Sequence, residues 1–168
     1  MWRFIGMAVA LVAVAACDGE NGDTDTDDQE TFISATVDGA SYEGESQGCA
    51  FMDHGDSTSE LLVWPADRIS GSVMDWFPGD IEEYAFTGTT EPVEALMSYF
   101  TEESVQYVGT SGSFSIETWE PHIPENAADP LIGYIGGSFH GTFTQYGGTD
   151  TVEITNGTFY SRVHENAR

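Results

Sequence analysis

Two long runs near the C-terminus, residues 135–145 and 152–163, are rich in β-branched and aromatic residues, and the pentapeptide Tyr146-Gly147-Gly148-Thr149-Asp150 joins them. Such side chains favour the pleated, half-buried surface of a sheet. A glycine-rich loop between two strand-like runs predicts an antiparallel hairpin. Gly136, Gly137, Gly141 and Gly157 fall inside the runs. Glycines placed there predict bulges or bends where a sheet curls.

The same grammar extends back to residue 32. Ile33, Ala35 and Val37 alternate with Ser34, Thr36 and Asp38, and Asp38-Gly39 is a turn signal. Shorter strand-like runs occur at 60–64, 69–77 and 82–86, punctuated by Pro65, Pro78-Gly79 and Gly88. Residues 113–119 read as a clean alternation of polar and apolar side chains. Residues 91–103 are ambiguous: Val93, Leu96, Met97 and Phe100 form a helical stripe, but every neighbouring segment is β, which tips the reading to strand. Residues 120–130, with Pro121, Pro124 and Pro130, read as a long loop. About eight or more short strands predict an all-β domain over 31–166, an antiparallel sandwich or barrel. No βαβ alternation is present, which excludes the nucleotide-binding α/β folds.

The chain has 29 acidic residues against 4 basic ones, and no lysine. Such a surface repels phosphate backbones, so nucleic acid is excluded as a partner. Electrostatic docking on anionic lipid is disfavoured for the same reason. Solubility or adaptation to salt explains the acidity better than a specific cation role, because charge runs are generally solvated.

Residues 18–30 contain no apolar side chain and carry seven carboxylates. Too little apolar surface is available there to offset chain entropy, so a disordered linker is expected. Thirteen flexible residues average about 20 Å between their ends. Asp23, Asp25 and Asp27 alternate like the opening of a calcium loop, but Asp28 stands where glycine is needed and Ser34 where glutamate is needed. Before this linker comes Met1-Trp2-Arg3, then an apolar run, then Val14-Ala15-Ala16-Cys17. The apolar stretch is too short for a membrane span, which takes about 20 residues, and it has the layout of a secretory signal.

Val14-Ala15-Ala16-Cys17 resembles the lipobox of bacterial lipoprotein precursors. The resemblance implies that residues 1–16 are a signal peptide and that Cys17 is the lipidation site. It further implies diacylglycerol on the thiol of Cys17, with a further acyl chain such as palmitate on the new amino group. The domain plan is then signal peptide 1–16, lipidated acidic linker 17–30 and β-domain 31–166. The expected location is the cell envelope, anchored to inner or outer membrane and facing periplasm or exterior. The domain also shows a diffuse similarity to uncharacterised β-domains of other bacterial lipoproteins, carried by Ala35-Thr36-Val37-Asp38-Gly39 and by the run 154–159. That similarity implies no activity.

With Cys17 acylated, Cys49 has no disulfide partner, and its apolar neighbours Ala50, Phe51 and Met52 predict a buried, inert thiol. Gly44-Glu45-Ser46-Gln47-Gly48 matches the hydrolase pattern G-x-S-x-G, but no helix is expected after it, so it reads as coincidence. The doublets Glu82-Glu83 and Glu102-Glu103 point to opposite faces on a strand and form no dyad. His54, His122, His140 and His164 are too scattered for a zinc site, and Asp53-His54-Gly55-Asp56 reads as a polar turn. No metal or other cofactor is expected. Trp64 and Trp119 are expected in the core; Trp76-Phe77, just before Pro78-Gly79, is the candidate ligand-binding pair if it stands exposed at a loop tip, and the simpler reading is that Trp76 caps one end of the barrel. The expected function is non-enzymatic: a lipid-anchored envelope protein whose β-domain binds a glycan or an envelope protein, or serves as structure. The alternative is an envelope hydrolase acting on polysaccharide through a loop-built carboxylate site.

Overall fold

In a computed structural model the chain is described over residues 30–53, 59–65, 68–86, 95–123 and 130–165. The expected signal peptide over 1–16, Cys17, the expected linker up to residue 29, His54 to Asp56, residues 91–94 and the side chain of Trp64 lie outside these described residues.

Ten strands, and no helix, make up the described residues. They are β1 (Phe32–Val37), β2 (Ala40–Gly44), β3 (Ser46–Asp53), β4 (Ser59–Pro65), β5 (Ile69–Met74), β6 (Glu83–Ala85), β7 (Ala95–Phe100), β8 (Gln106–Pro121), β9 (Leu131–Gln145) and β10 (Thr151–Glu165). The chain is all-β, as its sequence predicts, and the part of the ambiguous segment described as β7 is a strand. The expected hairpins form. Asp38 and Gly39 take φ of 47° and 82°, the double left-handed turn that matches strand twist, and join β1 to β2. The glycine-rich loop after Gln145 joins β9 to β10.

All pairings are antiparallel except one. Val163, His164 and Glu165 at the end of β10 run parallel to Cys49, Ala50 and Phe51 of β3. That contact completes a ring of pairings through β3, β4, β5, β7, β8, β9 and β10. β1 and β2 extend the sheet beside β10, and β6 pairs with the middle of β8. β8 joins β7 through residues 106–108, at the opposite end of the β8–β9–β10 meander from the β10–β3 contact. β3, β4, β5 and β7 therefore link one end of the meander to the other.

Bulges set which side chains face inward. Between Ile154 and Gly157 the register of β10 against β9 slips by one residue, with Asn156 at φ 52°. Val152 and Ile154 are buried before the slip, and Phe159 and Val163, of the opposite parity, are buried after it. β8 does the same between Ile116 and Thr118. Phe114 and Ile116 are buried on one parity, and Trp119 packs against the core on the other. The expected uninterrupted alternation over 113–119 is thus broken once, because an extra residue on one strand rotates the later residues of that strand by half a turn.

The core between the sheets is aromatic. Phe114 stacks on Phe159 with centroids 4.9 Å apart, and Phe86 meets Phe143 edge-on at 5.8 Å. Trp76, fully buried, meets Phe51 and Trp119 edge-on at 5.8 and 5.6 Å. Offset and edge-on contacts let the positive rim of one ring meet the negative face of another.

Candidate functional site

Of the expected pair Trp76-Phe77, only Phe77 reaches the surface. Trp76 is fully buried, and its indole N–H donates to the backbone carbonyl of Asp80 at 3.0 Å. The reason is local. The segment after β5 folds back at Pro78-Gly79, and the Asp80 carboxylate accepts the Phe77 N–H at 3.1 Å. That turn aims residue 76 inward and residue 77 outward.

The other sequence candidates resolve similarly. Ser46 of Gly44-Glu45-Ser46-Gln47-Gly48 is buried on β3, its hydroxyl 2.7 Å from that of Ser161. Strands flank it on both sides, so no strand-to-helix elbow exists. Cys49 is buried as expected, and desolvation pushes its thiol pKa up to about 12 despite an opposing hydrogen bond from Ser161. Glu102 caps the β7–β8 turn and pairs with Arg68 at 2.7 Å. This hydrogen bond, first among the causes, raises the Arg68 pKa. Arg68 and Glu102, with Phe100, Thr101 and Ser104, line a shallow polar depression whose cations and anions already satisfy one another. His140 is exposed on β9, and among the described residues no three His, Cys, Asp or Glu side chains converge as metal ligands.

The arrangement with binding chemistry lies on the outer face of β1, β10, β9 and β8. Register places Phe32, Tyr160, Gly136 and Thr118 in one cross-strand row, and Arg162, Tyr134 and Glu120 in the next. The Tyr160 hydroxyl, on β10, donates to the Glu120 carboxylate, on β8, at 3.0 Å. Its side chain therefore spans β9 above Gly136. A Cβ at Gly136 would come within 3.1 Å of the Tyr160 ring and 2.7 Å of the Thr118 hydroxyl, so glycine is what lets the ring lie across the sheet. Tyr134 is nearly parallel to Tyr160, at 9° with centroids 5.8 Å apart, and Phe32 comes next at 19° and 6.5 Å. Tyr134 is buried, Tyr160 half-buried and Phe32 exposed.

Hydroxyl and carboxylate pairs continue along the same face, those of Ser34 and Ser138 beside the rings and those of Thr142 and Thr144 six to eight residues further along β9 from Gly136. Ser138 donates to Glu117 and Thr142 to Glu153. Thr110 lies 3.0 Å from Thr144, and Ser34 2.9 Å from Thr158. Aromatic planes beside donors and acceptors provide apolar stacking and directional hydrogen bonding on one surface. Nothing in the linear sequence singles out Phe32, Tyr134, Tyr160 and Glu120. Their signal exists only as tyrosines at outward positions of adjacent strands beside an outward glycine, and seeing that requires the register.

No protein-family model, no curated protein and no solved structure matches this chain.

Proposed function

We propose that this protein is a lipid-anchored component of a bacterial cell envelope, acylated at Cys17, whose β-domain binds a polyhydroxylated, glycan-type ligand without turning it over. The lipobox resemblance of Val14-Ala15-Ala16-Cys17 supports the anchor. The observation that carries the binding reading is the exposed Phe32 ring beside the half-buried Tyr160 ring, which buried Tyr134 backs from one side and Glu120 holds by its hydroxyl. The apolar face of a sugar stacks on aromatic planes, while its hydroxyls seek carboxylates and side-chain hydroxyls such as those of Thr118 and Ser138. The net charge of −25 favours neutral glycans over sulfated or uronic ones, because like charges repel across the interface.

Glycan-array binding of the full chain tests this reading, with Tyr160→Ala as the comparison. Loss of one stacking platform lowers affinity by about tenfold or more, at roughly 1–2 kcal/mol for an aromatic contact in a hot spot. Equal binding by the variant removes the strip as the site. Hydrolysis of an envelope polysaccharide, abolished by a single carboxylate substitution, would replace the binding reading with an enzymatic one.

A further inference from the structure

The described residues expose several large apolar side chains, and three of them gather at one end of the molecule. Phe77 is 46 % exposed, Ile81 62 % and Ile123 88 %. The segment carrying the first two runs beside the C-terminal half of β8, with Glu82 exchanging backbone hydrogen bonds with Ile116. A Cβ at Gly79 would stand 3.8 Å from Trp119. Ile123 lies two residues beyond the end of β8. The Asp80 carboxylate is turned onto the Phe77 N–H, so it does not stand at the tip of this turn.

The N-terminus of the domain leaves at the same end. Phe32 pairs with Tyr160, and β1 runs antiparallel to β10, so Thr31 and Glu30 continue toward the level of Arg162. Register across β9 carries that level to Tyr134 and Glu120, at the close of β8. The thirteen residues between Cys17 and Thr31 reach at most about 45 Å when fully stretched, at ~3.4 Å each. The opposite end, marked by Tyr146 in the β9–β10 hairpin, lies about 30 Å further along β10, at ~3.3 Å per residue. Bringing that end to the anchor would need the linker nearly straight.

We infer that the end carrying Phe77, Ile81 and Ile123 rests on the bilayer, its apolar tips entering the headgroup region beside the anchor. This rests on acylation at Cys17. Polar carboxylates nearby, Asp75, Glu82 and Glu120 among them, repel anionic headgroups, so the partner surface is zwitterionic lipid. The acyl chains supply attachment and the apolar tips supply orientation, because a few inserted side chains alone bind a bilayer weakly.

The experiment uses the full chain, expressed in bacteria with fatty-acid labelling and reconstituted in phosphatidylethanolamine–phosphatidylcholine vesicles. Single variants Phe77→Cys, Ile81→Cys, Ile123→Cys and Tyr146→Cys each carry an environment-sensitive fluorophore. Cys49 is buried and does not compete for the label. These are exposed positions, where substitutions are generally tolerated. Quenching by spin-labelled lipid should be about threefold or more stronger at 77, 81 and 123 than at 146, as expected for side chains entering the outer 5–10 Å of the bilayer. Adding phosphatidylglycerol should weaken it at 77, 81 and 123. Acylation with equal, weak quenching at all four positions overturns the orientation and leaves the anchor standing. Absence of acylation overturns both, and strong quenching at 146 alone reverses the end that faces the membrane.

Discussion

The indoles of Trp76 and Trp119 meet edge-on, centroids 5.6 Å apart and planes at 71°, and tie the turn after β5 to the far half of β8. Trp76 is also the largest fully buried side chain among the described residues. Trp76→Ala should lower unfolding free energy by about 3–5 kcal/mol, the usual cost of removing a buried large aromatic. Trp76→Phe should cost less through packing but leave the Asp80 carbonyl without its indole donor, adding roughly 1–3 kcal/mol. Urea titrations of both variants measure these costs. A loss below about 1 kcal/mol for Trp76→Ala would show that the indole does not anchor this turn.

Gly157 sits where β10 slips register, and a Cβ there would meet both the Phe139 ring and the Phe139 backbone carbonyl oxygen at 2.5 Å. Gly157→Ala should destabilise by about 1–3 kcal/mol through overpacking. Part of that penalty should disappear in a Phe139→Leu background, which removes the ring contact and leaves the carbonyl contact, so the two effects do not add. A double-mutant cycle with zero coupling energy would contradict the contact.

Burial raises the Cys49 pKa from its ordinary 9.0 to about 12. Between those values the unfolded chain has lost the thiol proton and the folded chain keeps it. The folded state then binds more protons, so stability falls as pH rises. The stability is fully present below pH 9.0 and declines toward about pH 12, at a limiting slope of about 1.4 kcal/mol per pH unit. Cys49→Ala should flatten that part of the alkaline stability profile. Identical profiles for the two proteins would refute the assignment.

A net charge of −25 makes like-charge repulsion the dominant long-range electrostatic term. The melting temperature should therefore rise from low salt to about 1 M sodium chloride as the screening length shrinks from about 10 Å at 0.1 M to about 3 Å. The exposed Arg68–Glu102 pair should respond in the opposite sense. Glu102→Gln should lower the melting temperature slightly at low salt and almost not at all at high salt, as for an exposed ion pair. A melting temperature indifferent to sodium chloride but raised by micromolar calcium would instead favour cation capture by carboxylates.

The strands are legible in the sequence wherever side-chain alternation survives. The hairpin at Asp38-Gly39 and the β9–β10 hairpin are readable from turn chemistry alone, since the first needs positive φ at both turn residues and the second at Gly147. Burial of Cys49 is legible from its apolar neighbours. The fate of Trp76 and Phe77 is not, because adjacent residues in a turn differ in burial according to which way the turn folds. Phe32, Tyr134 and Tyr160 are invisible as a group, since 102 residues separate Phe32 from Tyr134 and only pairing through β10 joins them.

By itself the sequence determined the β class, the position of most strands, the two hairpins and a strongly acidic net charge. Those come from backbone periodicity, local turn geometry and summed charge, all of which act over short chain distances or over none. Tertiary structure alone decided the parallel β10–β3 contact that completes the ring, the inward turn of Trp76 and the tyrosine strip over Gly136. Each depends on register, and each bulge resets which face a side chain occupies. A one-residue slip at Asn156 or Glu117 moves every later side chain of the strand to the other face of the sheet.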